Sequence, residues 1–488
     1  MTAAATDQLT TLEEYEAPQR RLAGGSLRFL GAVGMSIGIQ APTGGLVFIP
    51  VFMAETVGSA GPLAFLLAIV AMLPIAYVVG AFSKRYASAG SVYAFNGGTL
   101  SPIFGFATCF ALLAVYILYA GANVAAVGND AQALLTAQGI HMSWLIPATV
   151  GWALGWYLCF RNIHFSALFI LALEGAALLV IIVVGIVVMA KGGYGGHSLS
   201  LSPFKSHGLP INTLLIGLAL AYTGFSGFEG AATVGEEAKL PRRVIPGAVI
   251  ASLVFSGLAY VFGSYVETIG YPSAKALSKA DVPMVTVAHQ YLSPWVGTLV
   301  NVAALLSILG GVLACMNCAA RLLFAMSRDG FVSTGLAATH PRQRSPYRAV
   351  ALVAVLTALS YLALGKYTPL DVFFDTAELG VYMILVVYLI TCVAGVVMAR
   401  RERDTVLGIV SLVGIAFLAV VIKYQISPAP AYPFTRLLIV AGALLVLAFA
   451  IPLLTPSLRA RLATSPLFKL ARVDGGGGDS DLSAAAAK

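Results

Sequence analysis

The sequence predicts an all-α polytopic membrane protein, and three observations carry that prediction. Of the 488 residues, 59% are hydrophobic and only 10% are charged, whereas a soluble domain carries about 25% charged residues as a hydrated shell. A chain so short of charge must cover its outer face with something other than water, which makes a lipid bilayer its first implied partner. Apolar runs of roughly 18–25 residues recur between residues 27 and 455, each long enough to cross a hydrocarbon core about 30 Å thick as a helix. None of these runs alternates polar and apolar residues in the manner of a membrane β-barrel strand.

Hydropathy and its punctuation give twelve spans: 27–54, 62–82, 102–127, 143–160, 166–190, 211–236, 244–267, 294–326, 349–364, 371–399, 405–424 and 434–455. Pro62, Pro102, Pro210 and Pro246 mark ends, because proline lacks the N–H that a helix interior needs and suits a first turn. The expected organisation is a flexible segment 1–24, a five-span unit 25–200, a second five-span unit 201–400, two further spans in 401–456, and a disordered tail 457–488. Within that tail GGGGDSDLSAAAAK is low-complexity. The first 20 residues are polar and acidic and show no cleavable signal peptide.

The first span contains GIQAPTGGLVFIP, residues 38–50. Pro42 cannot donate to the carbonyl of Gly38, and Gly44 and Gly45 permit conformations that a helix forbids. At membrane depth every freed backbone group must meet protein, water or ligand. The chain is therefore expected to unwind here beside a binding site. Thr43, Gly44 and Gly45 are the candidate N–H donors for a substrate carboxylate, at the positive end of the half-helix that follows. The carbonyls near Ile39 are candidate acceptors for an amine, and Gln40 and Ala41 belong to the same candidate site.

In the third span Tyr116, Tyr119 and Asn123 form a helical stripe. It fits either a pocket wall, with Tyr119 and Asn123 touching substrate, or a face packed on neighbouring helices. Glu174 sits mid-way along the fifth span, in FILALEGAALL. A carboxyl in apolar surroundings is suited to carry a coupling proton, and equally to sit neutral and bonded to a neighbour. The sixth span contains AYTGFSGFEGAA, residues 221–232, with Gly224, Gly227 and Gly230 spaced every three residues around Ser226 and Glu229. A charge at this depth costs about 2.5–3.5 kcal/mol on insertion scales. Close small-residue packing is one reading; a second helix break is the other.

Interruptions in both the first and the sixth span favour the second reading. Five-span units starting at each break make an inverted repeat, with a site near the bilayer midplane. On that reading the carbonyls of Thr223 and Phe225 join the amine acceptors. Tyr222, Ser226 and Gly227 join the candidate site, and Glu229 becomes a second candidate for proton coupling. In the eighth span Ser307 is the interior hydroxyl, which argues against a sodium site built from several oxygens. CMNC at 315–318 reads as small apolar filler. Asp375 and Glu378 open the tenth span, either as a solvated vestibule or as a trap for cationic substrates.

The net charge of +8 is topological. With the N-terminus cytoplasmic, roughly 22 of the 29 lysines and arginines fall on the cytoplasmic side, the bias that orients membrane proteins. That leaves nothing for a nucleic-acid partner to explain. The six histidines do not cluster, and the five cysteines all lie in apolar spans, so no metal or cofactor is expected.

Three stretches carry a resemblance to the amino acid–polyamine–organocation (APC) superfamily: FSGFEGAATVGEEAKLPRRVIPGAV (225–249), RLLFAMSRDGFV (321–332) with HPRQRSPYRAV (340–350), and KRYASAGSVYAF (84–95). The likeness covers roughly residues 25–455. It implies the LeuT-like inverted five-plus-five fold with broken first and sixth helices and two further helices. It also implies transport of amino acids or related amines by proton symport or exchange. The family's first span usually reads Gly-Ser-Gly or Gly-Thr-Gly; here the matching place reads Thr43-Gly44-Gly45, after Pro42. Arginine–agmatine exchangers of the family carry aromatic gates where Thr223 and Cys315 align here. Both are small in this chain, which makes Cys315 a pocket candidate and passes the gate to Tyr222 or Phe225, or widens the pocket. Glu174 aligns near a lysine of some proton-coupled relatives.

The expectation is therefore a secondary active transporter of amino acids in a bacterial cytoplasmic membrane, with both termini cytoplasmic. It would work by alternating access, with a proton or a counter-substrate as the other partner. A polyamine or other amine carrier of the same fold is the first alternative, and a non-transporting membrane sensor the second. A membrane enzyme would need a histidine-centred or metal constellation at one face, and the sequence has none.

Overall fold

The computed structural model describes residues 22–85, 90–196, 199–280, 282–426 and 434–464. The expected loose N-terminal segment up to residue 21 and the low-complexity stretch 475–488 lie outside the described residues. The described chain is helical, and its one β-type pairing is an isolated parallel bridge between Leu27 and Ala238.

The helices are α1 Phe29–Gln40, α2 Pro42–Gly45, α3 Ile49–Val57, α4 Gly61–Arg85, α5 Ser91–Thr99, α6 Pro102–Ala137, α7 Leu145–Cys159, α8 Ile163–Ala190, α9 Ile211–Phe225, α10 Pro241–Gly270, α11 Pro294–Arg328, α12 Tyr347–Leu362, α13 Pro369–Glu402, α14 Thr405–Ile426, α15 Phe434–Leu454 and α16 Pro456–Thr464. Two short helices, Ala274–Leu277 and Pro283–Tyr291, join α10 to α11. Proline sits in the first turn of α6, α10, α11 and α13, where its missing N–H is one of the helix's unpaired donors anyway. α6 continues to Ala137, past the expected 127, because nothing stops the helix before Gly139, which takes φ 79°.

Among the described residues nine helical segments are long and apolar enough to cross a membrane, and α7 and α12 are shorter apolar helices. The chain is a multi-pass membrane protein. α11 and α13 form the centre, each with 67% of its apolar window buried, while α14 and α15 lie outside with 28% and 22%. Outward-facing Val70, Val150, Ile186, Leu412 and Val446 are exposed, and an apolar surface of this extent needs a lipid covering. α16 falls where a disordered tail was expected. It is ordered because Leu462 buries against α6.

The run of α1 stops at Gln40. Ala41 takes φ 38°, a left-handed conformation that costs a residue with a Cβ roughly 1–2 kcal/mol. Pro42 then opens the single turn of α2, and α3 follows from Ile49. The run of α9 stops at Phe225; Gly227 takes φ 108°, and the chain continues as a 3-10 segment, Phe228–Glu237.

These two interruptions interlock. A Cβ on Gly227 would lie 2.2 Å from Ile39, and one on Gly230 would lie 2.5 Å from it. Gln40 Nε2 donates to the carbonyl of Phe225 at 3.2 Å. Ser36 Oγ donates to the carbonyl of Phe228 at 2.6 Å and accepts from the N–H of Ala231 at 2.8 Å. Backbone groups released by one interruption are thus met by the other, as a low-dielectric setting demands.

Candidate functional site

A cavity of about 470 Å³ opens where the interruptions meet, a volume within the ordinary range of small-molecule sites. Its floor is made by Ile39, Gln40, Ala41, Gly44 and Gly45 from the first interruption and by Thr223, Gly224 and Ser226 from the second. Tyr119 and Asn123 of α6, Tyr260 of α10 and Ile308 of α11 make its sides. Phe48, Phe52, Phe373, Phe374, Glu378 and Phe434 line it towards one end of the bundle, the aromatic end.

The floor is pinned from below. Tyr260 Oη donates to the carbonyl of Gln40 at 3.1 Å, and Ser256 Oγ donates to Gln40 Oε1 at 2.9 Å. A Cβ on Gly45 would sit 2.3 Å from Tyr260 Oη, so glycine is what lets the ring approach. Tyr260 in turn stacks on Phe65, with centroids 5.1 Å apart.

The first interruption closes on Glu174. Thr43 N–H donates to Glu174 Oε1 at 3.0 Å and Thr43 Oγ1 donates to the same atom at 2.7 Å. Ser307 Oγ donates to Glu174 Oε2 and accepts from the N–H of Gly44 at 3.1 Å. The N–H of Gly45 is held by the carbonyl of Ala41 at 2.9 Å. Three donors converge on one carboxyl, an arrangement suited to a group that only accepts. The sequence suggests open N–H donors at 43–45; in the structure each is engaged, Thr43 by the Glu174 carboxyl, Gly44 by Ser307 and Gly45 by the carbonyl of Ala41.

The second interruption is held differently. Glu229, fully buried, accepts from Tyr116 Oη at 2.9 Å and from Tyr388 Oη. Tyr388 Oη also accepts from the N–H of Gly227 at 3.3 Å. Tyr119, Tyr222 and Ser226 bring their hydroxyls close together, yet none of the three has a hydrogen bond of ordinary geometry.

The structure therefore brings Ile39, Gln40, Ala41, Gly44, Gly45, Tyr119, Asn123, Thr223 and Ser226 to the cavity wall. Thr43, Tyr222, Phe225, Gly227 and Cys315 are buried behind it, as are Glu174 and Glu229. The carbonyl of Phe225, expected to be open, is the acceptor for Gln40. Tyr260, Ile308, Phe48, Phe52, Phe373 and Phe374 were not anticipated. A lone tyrosine or a phenylalanine in an apolar span carries no local signal; only the fold reveals which of them meet.

At the opposite end the bundle is tied by ion pairs and hydrogen bonds. Arg321 Nε donates to Glu237 Oε2 at 2.5 Å, both side chains being 1% exposed. Arg321 also donates to the carbonyl and the side-chain oxygen of Asn317 at 3.2 and 2.8 Å. Arg328 grips Glu236 with two bonds of 2.7 and 2.6 Å, and Tyr93 donates to Asp329. The backbone of Leu27 pairs with Glu237 and Lys239 at 2.9 and 2.8 Å.

The amino acid permease profile matches residues 31–427. The chain is 26% identical over 391 residues to a branched-chain amino acid permease (BcaP) of Bacillus subtilis, covering 77% of this chain and 82% of that one. It is 27% identical over 310 residues to a low-affinity putrescine importer (PlaP) of Escherichia coli, covering 61% and 66%. It is 26% identical over 370 residues to a methylthioribose transporter of Bacillus subtilis, covering 72% and 77%.

Proposed function

We propose a carrier function on one premise: the chain belongs to the amino acid permease family. On that premise the chain is a secondary active transporter of amino acids or related amines, working by alternating access around the cavity between the two interruptions. The observation that carries this reading is a 470 Å³ cavity floored by backbone from α1–α2 and α9, lined to the aromatic end, and sealed beneath by buried ion pairs. Relatives named for a branched-chain amino acid and for putrescine support both cargo classes.

The finer reading takes twelve spans in two inverted five-span units plus two, with α1–α3 and α9 with its 3-10 continuation as the broken helices. The ion-paired end is assigned to the cytoplasm, since it carries Lys84, Arg85, Arg242, Arg243 and Arg400 and basic residues are retained there. In this orientation the cavity faces outward, the reading supported by the ion pairs beneath it. The membrane is assigned to the bacterial cytoplasmic boundary.

Glu174 is proposed as the coupling group. Ionised, it accepts from Thr43 and Ser307 and holds the first interruption to α8 and α11. Protonated, it loses acceptor capacity, which loosens that clamp and lets α1 move. Proton entry and helix movement are then one event. Exchange of two substrates is the alternative driving mode, and Glu229 the alternative coupling group.

The test is uptake into proteoliposomes. Radiolabelled leucine and putrescine are offered with and without an inward proton gradient. Saturable uptake of either supports the carrier reading. Dependence on the gradient supports proton coupling, and gradient-independent uptake that requires internal substrate supports exchange. No uptake of any amino acid or amine by folded protein would remove the reading.

A further inference from the structure

We propose that the cavity recognises its cargo by an ammonium group held at Glu378, and that a cargo carboxylate is not required. The proposal rests on the carrier reading and narrows its substrate class. Among the described residues lining the cavity, Glu378 is the one carboxylate, and no lysine, arginine or histidine lines it. The neighbouring Tyr382 hydroxyl hydrogen-bonds the Glu378 carboxyl, and no cation among the described cavity-lining residues meets it. At the rim Asp375 faces Arg436 at 3.6 Å, so those two charges offset each other. A wall with one carboxyl and no basic group favours an arriving cation, which stabilises the ionised carboxylate, over an anion.

A second observation points to a polar ligand at the floor. Tyr119 is 8% exposed and Ser226 3% exposed, both line the cavity, and neither hydroxyl has a hydrogen bond of ordinary geometry. Buried hydroxyls that meet one another only loosely keep acceptor capacity free, and an ammonium offers them donors. Gly380 places its backbone against the Tyr119 ring, where a Cβ would lie 2.4 Å away. That close approach fixes the helix bearing Glu378 beside the Tyr119 hydroxyl.

A third observation concerns the other end of an amino acid. The N–H groups of Thr43, Gly44 and Gly45 are engaged by Glu174, Ser307 and the carbonyl of Ala41. A cargo carboxylate seeking those donors would have to displace Glu174, Ser307 and the Ala41 carbonyl. An amine needs no such exchange; its alkyl part would pack on Phe48, Ile308 and Phe373.

The experiment is a thermal-shift titration of the purified full-length protein with matched probes: isoamylamine, leucine and isovalerate, then cadaverine and lysine. Both amines should raise the melting temperature, by an amount that grows with the logarithm of ligand over Kd once ligand is in excess, and isovalerate should not. Glu378→Gln, which keeps the shape and removes the charge, should weaken amine binding by about thirtyfold or more, the low end for truncating one partner of a desolvated charge pair. Glu378→Asp should keep the amine preference. Amines that give no shift, or leucine and isovalerate binding equally to wild type and Glu378→Gln, would overturn the proposal. Leucine uptake into proteoliposomes in that case would leave the carrier reading standing. An amine shift lost in Glu378→Gln but accompanied by no uptake would keep the ammonium site and remove the carrier.

Discussion

The two ends of the bundle are held by different chemistry. At the aromatic end Phe48 meets Phe373 and Phe374 with centroids 5.1 and 6.2 Å apart, and Phe52 meets Phe374 at 5.4 Å. At the other end Arg321 and Glu237 are almost wholly desolvated and fully bonded. Aromatic pairs contribute about 0.5–1.5 kcal/mol beyond their burial, so the aromatic end parts readily. Removing one partner of a buried ion pair costs about 3–5 kcal/mol, because the other charge is left behind unpaired. Separating the pair into water is less costly, since both charges are hydrated again. On the carrier reading such a pair is a gate that is firm while dry and releasable once wet. On the carrier reading this asymmetry makes the state with the aromatic end accessible the resting one.

On the carrier reading the turn at Gly227 is the hinge between the ends, and it gives the largest expected effect. Gly227→Val forces a β-branched residue to φ 108° and drives it into Ile39. The cost should exceed about 3 kcal/mol, read as loss of uptake and a melting temperature several degrees lower. Normal uptake would separate the cavity from the hinge and break the comparison.

Arg321→Gln comes next. It leaves Glu237 buried without its cation and should weaken closure of the ion-paired end by about 3–5 kcal/mol. Cysteine labelling of Thr233→Cys from that side should rise by tenfold or more. Unchanged labelling would mean that Arg328 and Glu236 hold the end by themselves.

Glu174→Gln tests whether the clamp at the first interruption follows protons. The amide keeps an acceptor for Thr43 and cannot titrate, so uptake should become flat where the wild type changes with external pH. An unchanged profile would remove Glu174 from the coupling route. Phe374→Ala should act least, about 0.5–1.5 kcal/mol for each aromatic pair it removes, seen as faster substrate release with little change in the melting temperature. A large fall in stability would show that the aromatic end is as firmly shut as the other.

What the sequence revealed and what it hid divides along range. Pro42 with Gly44 and Gly45, and the Gly224–Gly227–Gly230 series, announce their interruptions because the effect is local to a few residues. The left-handed turn at Ala41 carried no such sign, because alanine is a good helix former. Pairings across the bundle were invisible: Thr43 with Glu174 and Arg321 with Glu237 lie 131 and 84 residues apart. Glu378 was visible as an acid at a span end. Only the packing of α13 on α6, with Gly380 against Tyr119, puts it in the cavity wall rather than at a rim.

Spin-label distances report whether the two ends move together. One pair, at Glu55 and Lys366, reports the aromatic end; another, at Lys239 and Arg342, reports the ion-paired end. All four side chains are exposed. In lipid nanodiscs, Arg321→Gln should lengthen the Lys239–Arg342 distance and shorten the Glu55–Lys366 distance together, as two faces of one motion. Lengthening at the ion-paired end with no change at the aromatic end would contradict alternating access around this cavity.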